Sequence, residues 1–172
     1  MATTLWPQIV DALVAACRAQ VGYYDPGAAA GSGIPVYDGT EIALTNEPAQ
    51  QYLVIGWSGD PDRPQDAGRS AQDPGPMSTL VRARDELGTV ECLAVSQPGD
   101  ASIGARSVKT SRDAAYQIMA TVEQICRGTA VGPTLGISNN LWAFVTQHSV
   151  QQYLDEGAVC EISFTVSYRA RL

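Results

Sequence analysis

The end of the chain limits its folding more than any other segment. From Val159 to Arg171, Cys160, Ile162, Phe164, Val166 and Tyr168 alternate with Glu161, Ser163, Thr165, Ser167 and Arg169. Only an extended strand sends every second side chain to the same face. This one therefore has an apolar face for a core and a polar face for water. The stretch from Leu141 to Tyr153, rich in Trp, Phe, Val and Thr, reads as its partner. Asp155-Glu156-Gly157 between them reads as a hairpin turn, so the pair is expected to be antiparallel. A lone hairpin is not stable in water, so this one needs further strands and a covering layer.

Two segments can supply that layer. Between Thr4 and Gln20, Leu5, Ile9, Leu13, Ala16 and Cys17 recur at three- and four-residue steps, the spacing of one helix face. Thr3 or Thr4 is placed to cap this helix, Pro7 fits its opening turn, and Gly22 is a stop. A second helix is expected over 107–127, with Val108, Ala115, Ile118, Met119, Val122, Ile125 and Cys126 as its apolar stripe and Gly128 at its end.

Between the helices lie three more candidate strands. Val36-Tyr37-Asp38-Gly39 reads as a short strand with a hairpin or turn signal, after a connector at 25–35. Tyr52 to Trp57 is apolar on both sides, as in a central strand. Residues 88–97 return to strand, with Glu91 tolerable at an edge or a strand end. Residues 58–79 are dominated by Gly, Pro, Asp and Arg and show no period, which reads as a polar loop insertion. The expected fold is a single α+β domain over 1–172. It has an antiparallel or mixed β-sheet with two α-helices packed on one face, in the order α-β-β-β-α-β-β.

Charge bears on partners. The 172 residues carry 18 acidic and 11 basic side chains, a formal net charge of −7. Lys109 is the only lysine, a bias that points to a GC-rich coding sequence. With no basic run, general binding to a phosphate backbone is disfavoured. No basic leader followed by an apolar run appears, and no apolar stretch approaches the ~20 residues of a membrane helix. Cys17, Cys92, Cys126 and Cys160 are scattered through apolar segments without any C-x-x-C pair. They are expected to be buried free thiols of a reducing compartment.

Catalytic and cofactor signals are weak. His148, the single histidine, lies in a strand and is expected on the same side as Trp142, Phe144 and Thr146. It has no nucleophile or orienting carboxylate at a recognised spacing. A hydrolase pairing His148 with Cys160 or Cys92 would need an electropositive, partly exposed thiol, and Cys160 belongs to an apolar face. Asp60, Asp62, Asp66 and Asp73 lack calcium-loop spacing. Gly31-Ser32-Gly33 does not open a helix, so it is a turn and not a phosphate loop. No cofactor, metal or catalytic residue is expected. The charged insertion is the best candidate for a subunit contact, with Asp60, Arg63, Asp66, Arg69, Arg82 and Arg84 able to form ion pairs with a neighbour.

The order of these elements resembles the tail terminator proteins of long-tailed bacteriophages. An amphipathic helix, Val36-Tyr37-Asp38-Gly39, a buried strand, a polar insertion, another strand, a long helix and a terminal hairpin ending Cys-Glu-Ile-Ser-Phe-Thr-Val-Ser-Tyr-Arg-Ala-Arg-Leu carry the likeness. The resemblance implies a structural virion protein of the tail and neck, assembled in the host cytoplasm, with no enzymatic activity. Its partners would be copies of itself in a ring, expected to be a hexamer, the tail tube protein, and the head-tail connector or stopper protein. DNA would be only passing cargo, and no membrane is involved. Three alternatives carry different expectations. Another neck component, such as a head-tail stopper or a tail completion protein, would bind the head side. A small Cys/His hydrolase would hold one reactive thiol. A binding module would gather Trp57, Trp142 and Tyr37 into an aromatic cleft.

Overall fold

The structure, a computed structural model, describes residues 4–28, 32–44, 50–59, 67–73, 85–97, 105–128, 135–137, 141–154 and 157–171. Its elements are α1 (Trp6–Arg18), β1 (Tyr23–Tyr24), β2 (Ile34–Asp38), a 3-10 helix (Gly39–Leu44), β3 (Gln51–Ile55), β4 (Gly68–Asp73), β5 (Asp85–Ser96), α2 (Ala105–Cys126), β6 (Leu141–Leu154) and β7 (Ala158–Arg171). The strands make one mixed seven-stranded sheet in the order β1-β2-β3-β5-β7-β6, with β4 also paired to β5. The chain is thus an α+β domain of two helices on a mixed sheet.

The alternation in β7 does what the sequence requires. Cys160, Ile162, Phe164, Val166 and Tyr168 are all buried beneath the helices. β7 pairs antiparallel with β6 on one side and β5 on the other, so its backbone groups are satisfied along both edges. Both helices lie on this face. Ile9, Leu13 and Cys17 of α1 and Ala115, Ile118, Val122 and Ile125 of α2 share one core with the five β7 residues. Burying each such aliphatic side chain stabilises the fold by about 1.5–3 kcal/mol, so this face contributes most of the apolar burial. The opposite, outer face has a smaller cluster of Tyr37, Val54, Leu93, Val95 and Val159, covered by Ile42, Tyr52 and Trp57. Ser58 closes over that cluster by accepting a hydrogen bond from Ser163 Oγ at 2.9 Å through its carbonyl.

Five expectations need correction. Within the stretch read as a loop, residues 68–73 form β4, paired antiparallel with β5 from Gly68↔Val90 to Asp73↔Asp85. Arg69, Ser70, Ala71 and Gln72 are all exposed, so β4 has no apolar face and leaves no period-2 signal. The turn at Asp38-Gly39 is real, with Gly39 at φ +55°, but it opens the 3-10 helix and not a hairpin. β2 and β3 are therefore parallel, with Val36 opposite Leu53. Glu91 sits inside a central strand and is accommodated there because its Oε2 accepts the Thr165 hydroxyl at 3.0 Å. β1, too short to show a pattern, pairs parallel with β2. Lastly, the N-cap position of α1 is Leu5, which has no capping side chain, although the Thr4 hydroxyl just before it accepts the Trp6 N–H at 3.2 Å. The Leu5 N–H instead donates to Glu86 Oε2 on β5 at 2.9 Å.

At the other end of α1, Arg18 ties the helix to its surroundings. Its guanidinium donates to the Val36 carbonyl at 2.9 and 3.1 Å and pairs with Asp25 at 3.2 Å and Glu41 at 3.3 Å. Burial, then the charges of Asp11 and Glu41, raise the pKa of nearby Asp38, and Arg18 opposes them. These contacts fasten α1 and the 3-10 helix to β2, on the far side of the sheet from β6.

Candidate assembly surface

Among the described residues, the outer face of the sheet is left open where the small outer cluster ends. Strand register decides which side chains stand there. Arg69 and Ala71 of β4 lie opposite Thr89 and Leu87 of β5. Leu87 and Thr89 lie opposite Arg169 and Ser167 of β7. These in turn lie opposite Trp142 and Phe144 of β6. Across four strands the same parity thus builds one open trough of about 990 Å³, completed at one end by Asp85 and Arg171.

The floor of this trough is apolar and exposed. Trp142 keeps 69% of its surface accessible, Leu87 51% and Phe144 50%. Isolated exposed apolar residues are ordinary, whereas large ones gathered on one face mark a contact surface. Three arginines, Arg69, Arg169 and Arg171, stand around it with one aspartate. Arg169 donates to Asp85 Oδ2 at 2.7 Å, so its guanidinium is already oriented along the rim. β6 is also an edge strand of fourteen residues without Lys, Arg, Asp, Glu or Pro. Edges are usually protected by such residues, and among the described residues this one carries a bulge instead.

That bulge overturns the expected placement of His148. The ladder skips a residue between Val145 and Gln147, so Val145 pairs with Val166 and Gln147 with Thr165. Thr146 is the extra residue, and its hydroxyl meets Ser167 Oγ at 2.8 Å. Past it every side chain changes face. His148 therefore lies opposite Phe164, on the helix side, away from Trp142 and Phe144. There its Nε2 is 3.2 Å from the Tyr116 hydroxyl of α2, with the rings edge to face at 5.7 Å.

The four cysteines are buried and unpaired. Burial pushes the thiols of Cys17 and Cys126 up to about 12 and raises those of Cys92 and Cys160. They stay protonated near neutrality, the opposite of what a thiolate nucleophile needs. Among the described residues no group of three or more His, Cys, Asp or Glu side chains could hold a metal ion, and no helix is long and apolar enough to cross a membrane. Tyr37 and Trp57 belong to the small outer cluster and Trp142 does not, so the three do not form one aromatic cleft.

Of the charged residues singled out in the sequence, Arg69 stands on the rim of the trough. Asp60, Arg63, Asp66, Arg82 and Arg84 lie outside the described residues. Sequence reasoning missed Leu87, Phe144, Arg169 and Arg171. A usable signal was present: Leu141 to Val145 is apolar on both parities, so one side of it had to face something other than the helix layer. In comparisons with known proteins, the chain matches no family model and no curated protein.

Proposed function

We propose that the chain is a structural subunit that acts through surface contacts, and specifically a tail terminator that caps a phage tail tube at its final length and forms the tail side of the head-tail junction. The observation that carries this reading is the open trough, where Trp142, Phe144 and Leu87 are exposed together beneath arginines on a rigid, helix-backed sheet. A monomer exposing such a face loses nothing by covering it, and an assembly subunit gains specificity from it. The element order that resembles the terminators supplies the type of assembly. A ring on the last tube ring would use one surface for neighbouring copies, one for the tube protein and one for the head connector or stopper. The net charge of −7 suits a ring around passing DNA, because an acidic lumen does not retain a polyanion.

Electron microscopy of lysates from phage lacking this gene tests the proposal. Headless tails of abnormal length are expected. Tails of normal length would refute termination. If those tails also failed to join heads, the protein would be a neck component that acts after tail completion.

A further inference from the structure

The trough is opposite in charge to the molecule that carries it. Three of the chain's ten arginines, Arg69, Arg169 and Arg171, stand around it with one aspartate, although the chain as a whole has a formal net charge of −7. Asp85 is already engaged by Arg169 at 2.7 Å. Among the described residues Arg69 and Arg171 are exposed and have no carboxylate partner. Positive charge therefore lies beside the exposed side chains of Trp142, Phe144 and Leu87 and is not spent within the chain. Size narrows the occupant further. Four strands about 4.8 Å apart set β4 and β6 about 14 Å from each other, a distance that four or five extended residues cross. An open face of this kind leaves much of a small molecule in water, whereas a chain segment can lie along it.

We infer that the trough docks a short acidic segment of a different protein, whose carboxylates meet Arg69 and Arg171 and whose large apolar side chains cover Trp142, Phe144 and Leu87. Arginine is the side chain best shaped to hold a carboxylate through two parallel bonds. A trough-to-trough contact between two copies would set arginines against arginines, which like charge disfavours. The other exposed large apolar side chains are scattered. Val21 precedes β1 at the far edge of the sheet, Tyr153 stands on the outer face of β6, and Val150 and Leu154 stand on its helix side. A nucleic acid extends past the rim and meets a chain that is acidic as a whole. The inference rests on the reading of the trough as the contact surface of a structural subunit and names the chemistry of what it contacts.

Selection from a random heptapeptide library on the purified chain tests it. Peptides enriched on the parent should combine Asp or Glu with large apolar residues, and their binding should weaken as salt rises from about 50 to 500 mM. A chain carrying both Arg69→Glu and Arg171→Glu should select Lys and Arg in their place. Trp142→Thr should bind the parent's peptides at least about tenfold more weakly, as for a central apolar anchor. All three replaced side chains are exposed, so thermal unfolding of the variants should match the parent; Arg171→Glu alone serves if the double change unfolds. No enrichment, enrichment without acidic residues, or equal binding by the charge-reversed chain would each overturn the inference. Tighter binding of an oligothymidylate than of the peptides would make the trough a nucleic-acid site and overturn it. So would self-association of the parent that the charge reversal abolishes, which would make the occupant a second copy. Tail length reports separately: normal tails with acidic peptides bound in the trough would refute termination and leave the docking site standing.

Discussion

Tyr168 and Glu86 meet on the helix side of the sheet, where the phenolic hydroxyl donates to Glu86 Oε1 at 2.7 Å and both side chains are buried. Glu86 also accepts the Leu5 N–H through Oε2 and the Thr4 hydroxyl through Oε1. A carboxylate from β5 therefore does for α1 what a local capping side chain usually does. Its negative charge sits at the positive end of the helix dipole. Burial, together with the bond to Glu86 and its charge, raises the pKa of Tyr168, so the phenol keeps its proton and remains the donor.

Glu86→Gln should therefore destabilise the protein without changing its fold. The amide retains one acceptor oxygen and turns an N–H toward groups that are already donors. The expected cost is about 1–3 kcal/mol, with Tm falling roughly 2–4 °C for each kcal/mol at this length. Tyr168→Phe should cost less, because Glu86 keeps its two other donors. The double variant should cost less than the sum. Urea unfolding of the four proteins measures this, and strict additivity would show that the three donors do not act through one carboxylate.

Gly68→Ala should loosen β4. Gly68 has φ +149°, and a Cβ there would lie 2.1 Å from the Thr89 carbonyl oxygen and 2.8 Å from Trp6 Nε1. The Trp6 indole donates to that same carbonyl at 3.0 Å. Backbone strain and a lost indole bond add to a cost of about 2–4 kcal/mol. Faster amide exchange confined to β4 and the facing half of β5 is expected, and protection equal to the parent would refute the close approach. Because Arg69 and Ala71 belong to β4, the same change should weaken whatever the trough binds.

The elements that could be read from the sequence are those whose burial is one-sided. β7 alternates because helices cover one face and water the other, and α1 and α2 show their stripes for the same reason. β4 could not be read because Arg69, Ser70, Ala71 and Gln72 are all exposed and the strand is held mainly by its ladder to β5. The parallel pairing of β2 with β3 was hidden by a turn signal at Asp38-Gly39 that is local and does not specify the next element. The cap from Glu86 is eighty-one residues from Leu5 in sequence, beyond any local pattern. The trough was missed because its six principal side chains come from four strands and share only a parity. A single inserted residue, Thr146, was enough to reverse the side on which His148 stands.

His148→Ala should be nearly silent. Its ring is exposed and its bond to the Tyr116 hydroxyl lies at the surface. The expected loss is at most about 1 kcal/mol. Assembly measured by native mass spectrometry should also be unchanged, since His148 and the trough lie on opposite faces. A large loss of assembly with intact stability would place the interface on the helix side of β6.

The cysteines should make the protein alkali-sensitive and chemically silent. At pH 8 a thiol reagent should label none of the four in the folded chain and all four after unfolding. One rapidly labelled native thiol would revive a cysteine nucleophile. The same burial fixes the direction of the pH dependence. Cys17 and Cys126 move from 9.0 to about 12, and Tyr52 from 10.0 to about 12. In the unfolded chain these groups lose their protons from about pH 9 upward, while the folded chain still holds them. The unfolded state then binds fewer protons than the native state, so unfolding free energy falls as pH rises. The stabilisation is complete below about pH 8 and is lost between about pH 9 and 12. Urea midpoints at pH 6.5, 7.5 and 10 should be equal for the first two and lower for the third. A midpoint that holds at pH 10 would mean that the thiols ionise in place and are not sealed in the core.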